Sequence, residues 1–170
     1  MRYFLDTEFI ERPGSIQLIS IGIVDQNGRT FYAENTSFDE RQADDWVQRN
    51  VLDKLRWWGE NYIPHTTILD DDGSLEMFGS ITLIKRILMA FFLDAPPTEF
   101  WGYYADYDWV IFCWIFGKMI DLPKGFPMYC KDLKQLLDES GKDKIAAPEG
   151  EHNALVDAFW NRDLFNHLNH

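Results

Sequence analysis

Two carboxylates lie two positions apart near the start of the chain, at Asp6 and Glu8. Because alternate residues of a β-strand project from the same face, this spacing places both side chains next to each other if the segment is a strand. The apolar residues on both sides indicate a buried strand, in which unpaired carboxylates either destabilise the fold or become protonated. A divalent cation between them would remove that penalty. The alternatives are a strand end in solvent or ion pairs with a cation such as Arg12.

A further carboxylate position follows a predicted strand in the middle of the chain. Residues 98–105 are predicted to form this strand and residues 106–116 a short apolar helix, and open α/β sheets place their sites at such strand ends. Asp106 suits the N-cap of the helix. Asp108 lies about 200° further round the helix and can face the strand ends. Asp108 is therefore the predicted ligand.

His152 and Asp157 lie five residues apart where the last predicted helix, residues 153–168, begins. Five helical steps rotate by about 140°, so the two side chains share a site only if His152 lies on the preceding loop. Asn153 would then cap the helix. An imidazole on a loop beside a fixed carboxylate suits a base that takes a proton from water. Taken alone, the pair also fits a surface histidine near a helical aspartate.

The elements needed to position these residues follow from periodicity and turn residues. Residues 3–5, 16–24 and 30–33 are predicted as strands, with a hairpin turn at Asn27-Gly28. In the second strand, alternation places Ile19, Ile21 and Ile23 on one face and the small residues Ser20 and Gly22 on the other, which leaves space for another element to pack.

Helices and short strands alternate after this hairpin. Helices are predicted over residues 39–51, 74–93 with Ser74 as cap, 106–116, 132–140 and 153–168, with strands over 98–105 and 128–130. The aspartates at positions 70–72 are predicted to form a solvated turn. The pattern predicts an α/β fold: a mixed β-sheet, antiparallel hairpin plus parallel strands, flanked by helices.

Composition and charge limit the class of protein. The chain has 170 residues, 46% of them hydrophobic, which fits one ordered domain spanning 1–170. Its 16 basic and 28 acidic residues give a net charge of −12, which excludes a broad basic surface for nucleic acid but fits carboxylates that hold divalent cations for phosphoryl chemistry. No apolar run reaches the length of a membrane span and the first residues do not resemble a signal peptide, so a soluble cytoplasmic protein is expected. Cys113 and Cys130 are predicted to be buried free thiols.

The ordered combination of Asp6-Thr7-Glu8, Asp108, His152 and Asp157 resembles the DEDDh subgroup of 3′-to-5′ exonucleases, which have an RNase H-like fold. Within this subgroup, the chain resembles the small mycobacterial-type 3′-5′ exoribonucleases on its first eleven residues and on residues 152–158. Many relatives carry Phe and Asn where this chain has Tyr107 and Tyr104.

The resemblance implies a mechanism with two Mg²⁺ or Mn²⁺ ions. Asp6 would bridge both ions, and Glu8 and Asp157 would complete the site of the attacking water. Asp108 would support the second ion through water, and His152 would act as general base. Oxygen ligands suit such hard cations. The resemblance further implies release of nucleoside monophosphates from the 3′ end and a homodimer.

The expected partner is a single-stranded nucleic acid, with RNA favoured over DNA by the resemblance. Thr7, Phe9 and Tyr104 are the predicted substrate-binding residues, and the rings of Phe9 and Tyr104 are expected to stack on bases largely without sequence preference. The lysines at positions 118, 124, 131 and 134 are expected to form a solvated face, and a basic rim that binds substrate is the alternative. The alternatives are a single-stranded DNA exonuclease and a catalytically silent nucleic-acid-binding module on the same fold.

Overall fold

A seven-stranded mixed sheet organises the residues described by the computed structural model, which are 1–57, 65–68 and 71–169. The strands are β1 (Arg2–Arg12), β2 (Ser15–Asp25), β3 (Thr30–Asn35), β4 (His65–Ile68), β5 (Leu75–Gly79), β6 (Glu99–Gly102) and β7 (Lys131–Asp132). Their order across the sheet is β4-β5-β3-β2-β1-β6-β7. β1 with β2, β2 with β3, and β4 with β5 are antiparallel, and the remaining pairs are parallel. The predicted α/β mixed sheet is confirmed, and it is consistent with an RNase H-like fold.

Helices cover both faces of this sheet. They are α1 (Asp45–Asn50), α2 (Ile81–Phe91), α3 (Asp106–Phe116), α4 (Leu133–Ser140) and α5 (Ala154–Asn169), with short 3₁₀ helices at Glu40–Gln42, Leu52–Lys54 and Met119–Asp121. One core lies between the strands and helices α2 and α3. A second core lies between the other face and helices α4 and α5. Tyr3 and Leu5 belong to the first core and Phe4 to the second, as strand alternation requires.

A bulge interrupts the predicted alternation of β2. Glu8 pairs with Ser20 and the next residue, Phe9, pairs with Leu18, so Ile19 has no partner in the register. The prediction that Ile19 shares a face with Ile21 and Ile23 is therefore wrong. Ile19 packs in a separate cluster with residues that include Phe38 and Val51, and Leu18 takes its place in the main core.

The predicted helix over residues 74–93 is also wrong in its first part. Leu75–Gly79 forms β5, which pairs in parallel with β3, and the helix starts only at Ile81 with Ser80 as its N-cap. The hydroxyl of Ser74 instead accepts a hydrogen bond from the backbone N–H of Thr30 at 2.9 Å. Pairing with a distant strand thus overrides the local helical pattern.

Two other predicted elements are shorter than expected or displaced. The helix predicted over residues 39–51 breaks around Ala43 into a 3₁₀ turn and α1, because Asp39 and Asp44 each cap a separate turn. The strand predicted over residues 128–130 is wrong, since the pairing with β6 occurs at Lys131–Asp132. The side chains of Asp71 and Asp72 are exposed, as predicted for a solvated turn, and Asp70 lies outside the described residues.

The predictions of helices α3, α4 and α5 are confirmed. α3 has the predicted bounds, and α4 is capped by Asp132 and ends at Gly141 in the left-handed conformation. The side chain of Asn153 accepts hydrogen bonds from the first turn of α5. Both cysteines are free thiols; Cys113 is buried and Cys130 partly buried. Within the described ranges, no helix combines the length and apolar character needed to cross a bilayer.

Candidate active site

A cavity of about 370 Å³ lies where β1 meets the N-termini of α3 and α5. Its lining is rich in carboxylates and aromatic rings. The lining residues are Asp6, Thr7, Glu8, Phe9, Tyr103, Tyr104, Asp108, Lys144, Ala147, Pro148, Glu151, His152, Asp157, Trp160 and Asn161. The structure therefore brings together all five predicted catalytic residues and the three predicted substrate-binding residues, which come from three separate parts of the chain.

The carboxylates of Asp6 and Glu8 point to the same face of β1, as their spacing predicts. Together with Asp157 they offer ligand oxygens that all lie within 4.8 Å of one another. The bulge follows directly after Glu8, so the pairing of β1 with β2 shifts register at the site itself. Close beside Asp6, the carbonyl of Leu5 accepts a hydrogen bond from the buried Asn161 side chain at 2.9 Å, which ties α5 to this strand.

Gly22 explains how α5 reaches this pair. Gly22 is the partner of Asp6 in the sheet register, and a Cβ atom at this position would lie 2.2 Å from the carbonyl oxygen of Ala154. Only glycine permits so close an approach of the helix backbone to the strand. The first turn of α5 therefore rests directly beside Asp6 and presents Asp157 to the cluster. The space predicted beside Ser20 and Gly22 is filled by this helix.

Asp108 approaches from α3 and is buried. Its Oδ1 accepts two hydrogen bonds from Thr7, one from the backbone N–H at 2.8 Å and one from the hydroxyl at 2.6 Å. These bonds fix the carboxylate next to Asp6 and Glu8. Both hydrogen-bond donors of Thr7, the predicted substrate contact, are directed at Asp108, so in this structure Thr7 positions a carboxylate.

Asp106 is exposed on the surface and does not line the cavity. The prediction that it caps α3 is wrong, because the helix N-cap is Ala105 and Asp106 is already the first helical residue. The backbone N–H of Ala105 donates to the carboxylate of Asp132 at 2.8 Å, which fixes this N-cap residue at the start of the helix. Of the two aspartates, Asp108 is the one that the fold directs towards the other carboxylates.

Burial raises the pKa of every carboxyl group in this cluster, and repulsion within the cluster adds to the effect at Asp6 and Glu8. Burial, followed by repulsion from Asp108 and Glu8, holds the pKa of Asp6 well above its usual range. Burial, followed by repulsion from Asp157 and Asp108, raises the pKa of Glu8 to about 8, and burial raises that of Asp108 to about 6. Burial also raises the pKa of Asp157. Without a cation the cluster is therefore electrostatically unfavourable when ionised, and its oxygen donors suit a hard divalent cation.

His152 lies outside α5, on the preceding loop, as the rotation argument predicts. It has a positive φ of 68°, and its backbone N–H donates to the Oδ2 of Asp157 at 2.9 Å. Its ring meets the half-exposed Trp46 of α1 edge to face, with 4.8 Å between centroids. The ammonium of Lys54 donates to the carbonyl of Glu151 at 3.1 Å. Two contacts from the α1 region thus hold the loop that carries the imidazole.

The two predicted stacking residues differ in exposure. Phe9 is partly buried and meets the ring of Tyr107 edge to face at 5.8 Å. Tyr104 is 64% exposed and adopts a positive φ of 55°, which turns its ring towards solvent beside Tyr103. Both rings line the cavity, so a substrate could meet aromatic surface on either side of the carboxylates.

Several residues that line the cavity are not identified from the sequence patterns. Trp160 and Asn161 follow Asp157 by three and four residues, so the helical repeat could have identified them as neighbours on one face. Lys144 lies in a loop without periodicity and offers no such signal. The four lysines considered as a rim do not line the cavity. Two of them form ion pairs, Lys131 with Glu99 and Lys134 with Asp138, as expected for a solvated face.

The chain is similar to known proteins over most of its length. Residues 1–168 match the family model described as the 3′-5′ exoribonuclease Rv2179c-like domain. Two curated relatives are 36% identical over 161 residues, which cover 93% of this chain and 87% of the relatives. They are the 3′-5′ exoribonuclease Rv2179c of Mycobacterium tuberculosis strain H37Rv and the 3′-5′ exoribonuclease MT2234.1 of strain CDC 1551.

Proposed function

Since the chain belongs to the 3′-5′ exoribonuclease Rv2179c-like family, we propose that it hydrolyses single-stranded RNA from the 3′ end and releases nucleoside monophosphates. The observation that carries this proposal is the convergence of the Asp6, Glu8 and Asp157 carboxylates within 4.8 Å. A module that only binds nucleic acid would be hindered by such a cluster, because it repels phosphate. The proposal assigns the entire chain, residues 1–170, to one exonuclease domain.

The carboxylates would hold two divalent cations, Mg²⁺ or Mn²⁺. Asp6 would contact both ions, with Glu8 and Asp157 at one of them and Asp108 acting through water at the other. When bound, such ions stabilise the charge that develops on the attacking and departing oxygens of an in-line displacement at phosphorus. The raised pKa values of the cluster support this assignment, because a bound cation offsets the repulsion that contributes to them.

His152 would take the proton from the attacking water. The loop places the imidazole at the edge of the cavity, and the backbone bond to Asp157 keeps it beside the carboxylates. Its exposure on one side allows the proton to pass on to solvent after each cycle. Glu8, Asp108 and Asp157 would be poor proton acceptors while they hold the cations, so the imidazole would be the base of the site.

The aromatic rings of Phe9 and Tyr104 would stack on bases of the substrate. Stacking on aromatic side chains is largely independent of base identity, which suits an enzyme that shortens a strand one nucleotide at a time. Thr7 would contribute by fixing Asp108 as well as by lining the cavity. The homodimer implied by the family resemblance is also part of the proposal, and sedimentation equilibrium would test it.

A gel assay with matched 5′-labelled single-stranded RNA and DNA tests the reaction. The purified chain is incubated with Mg²⁺, with Mn²⁺ or with EDTA, and the Asp157→Ala variant serves as control. The expected result is a ladder that shortens from the 3′ end of RNA, requires metal and disappears in the variant. If DNA is shortened as fast as RNA or faster, RNA is not the preferred substrate class. Absence of shortening on both strands with either metal would overturn the proposal in favour of a silent binding module.

A further inference from the structure

Lys144 lines the same cavity but has no part in the chemistry described so far. Its ammonium lies 4.8 Å from the centroids of both the Tyr103 and the Trp160 rings. Such cation–π contacts hold the charge in a defined place without neutralising it. Among the described residues, none of the ion pairs includes Lys144.

The loop around Lys144 is anchored to α5. The indole N–H of Trp160 donates to the carbonyl of Ala146 at 2.7 Å. Ile145 packs against the core between the sheet and helices α4 and α5. The ammonium of Lys142 donates to the carbonyl of His167, near the C-terminus of α5, at 3.0 Å. Lys144 lies between these anchors, so the fold itself directs its side chain towards the cavity.

Charge balance indicates what this cation would meet. Of the described residues that line the cavity, Lys144 is the only lysine or arginine. Two divalent cations would balance the four carboxylates that hold them, and a fifth carboxylate, Glu151, also lines the cavity, so the loaded site would have no excess positive charge for the flanking phosphates. The scissile phosphate would contact the metal ions directly. The remaining anions of an oligonucleotide are its flanking phosphates.

We infer that Lys144 binds the phosphate on the 5′ side of the scissile phosphodiester. This inference rests on the proposed exonuclease function and adds a specificity: the cavity would bind a strand with a second phosphate more tightly than one without it. Tyr103 and Trp160 fix the position of the ammonium, and the exposed ring of Tyr104 beside Tyr103 would stack on the adjoining base.

Two dinucleotides that differ in one phosphate test the inference. Adenylyl-adenosine with a 5′-hydroxyl contains only the scissile phosphate, whereas the 5′-phosphorylated form adds the phosphate assigned to Lys144. For the unmodified protein, the 5′-phosphate should lower KM about tenfold, the size of a charge-assisted contact. Lys144→Met should abolish this difference and leave kcat unchanged, because the contact is equally strong before and during the reaction. Lys144→Arg should retain most of it.

The matched control is Lys124→Met, which removes an exposed lysine outside the cavity and should leave both KM values unchanged. Calorimetric binding of both dinucleotides to the His152→Ala protein, with and without Lys144→Met, gives the same comparison without turnover. It also decides the inference if the protein hydrolyses neither compound, a result that would overturn the proposed reaction only.

A longer single strand provides a second measurement. Loss of one phosphate contact should reduce the slope of log Kd against log salt concentration by about 0.7. An equal rise of KM for both dinucleotides in Lys144→Met would overturn the inference, because Lys144 would then contact the scissile phosphate. Unchanged KM values and an unchanged salt slope would also overturn it, and would leave Lys144 as a structural cap on two aromatic rings.

Discussion

The two sides of the cavity are built differently. On the carboxylate side, Asp6 and Glu8 belong to a central strand, and Asp108 and Asp157 belong to helices that pack on opposite faces of the sheet. On the opposite side, His152 lies on a loop with a positive φ, and its ring contacts an indole that is itself 50% exposed. One side is fixed by the hydrophobic cores and the other by a few surface contacts.

The difference matches what each side would do. Carboxylates that share cations must converge within a few ångströms although they repel one another, so only elements held by extensive packing can keep them there. A base has only to reach one proton and then exchange it with solvent, which a loop permits. Variants that change one side of the cavity and leave the other intact therefore test this difference.

Asp6→Asn should have the largest effect, because Asp6 lies between the other carboxylates. Loss of the shared ligand should reduce kcat by about 10⁴-fold or more, since each cation contributes several kcal/mol. The same change should raise the melting temperature of the protein in EDTA, because it removes one of four repelling groups. Loss of the shared ligand should also weaken Mg²⁺ binding. Activity assays, Mg²⁺ titration calorimetry and thermal melts measure the three effects.

Asp106→Asn is the matched control on the surface. It removes a nearby carboxylate that does not line the cavity, so activity and metal affinity should remain within twofold of the unmodified protein. Strong loss of activity in Asp106→Asn, combined with normal activity in Asp108→Asn, would reverse the assignment of the ligand on α3.

His152→Ala should reduce kcat by about 10² to 10⁴-fold, the usual contribution of a general base. Metal affinity should change little, because the imidazole is not among the three clustered ligands. His152→Ala should thus reduce kcat without weakening metal binding, whereas Asp6→Asn should do both. A comparable loss of metal affinity in His152→Ala would instead assign the imidazole to the metal site.

The stability of the metal-free protein should fall as pH rises. Glu8 has an ordinary pKa of 4.5 and a folded-state pKa of about 8, so between these values only the folded protein keeps the proton. Its contribution is complete below pH 4.5 and is lost as pH rises to 8. In EDTA, the melting temperature should therefore fall by roughly 10 °C from pH 5 to 8.

Two comparisons isolate the cause of this slope. The Glu8→Gln variant has no ionisable group at this position, so its melting temperature should depend less on pH over the same range. Saturating Mg²⁺ should also reduce the slope, because it stabilises the ionised cluster. A slope that is identical with EDTA, with Mg²⁺ and in Glu8→Gln would contradict the electrostatic description of the site.

The sequence predicts the carboxylate side better than the loop side. The spacing of Asp6 and Glu8 is a property of strand geometry, and the choice of Asp108 over Asp106 follows from rotation around a helix, so both could be derived locally. The placement of His152 on a loop follows from the same rotation. Lys144 could not be found this way, because its position depends on contacts between a loop without periodicity and a distant helix.

Long-range pairing explains the errors in the fold. Residues 74–79 and 81–91 both contain apolar residues after a serine, but only the second segment is helical, because the first adds a parallel strand beside β3. The bulge that displaces Ile19 arises from the pairing of two strands and leaves no mark on either strand alone. By contrast, α3 is predicted at its observed bounds, since its apolar run and its boundaries are local.

Trp46→Ala should have the smallest effect, and it tests whether surface contacts alone hold the base. Aromatic contacts of this kind contribute about 0.5–1.5 kcal/mol, so loss of the ring should reduce kcat by about three- to tenfold. Metal affinity should not change, because Trp46 lies on α1, away from the elements that carry the carboxylates. Trp46→Phe retains an aromatic edge for the imidazole and should recover most of the rate. Trp114→Ala, which removes a comparably exposed indole outside the cavity, should leave kcat unchanged, and an equal loss in that control would assign the effect to general destabilisation.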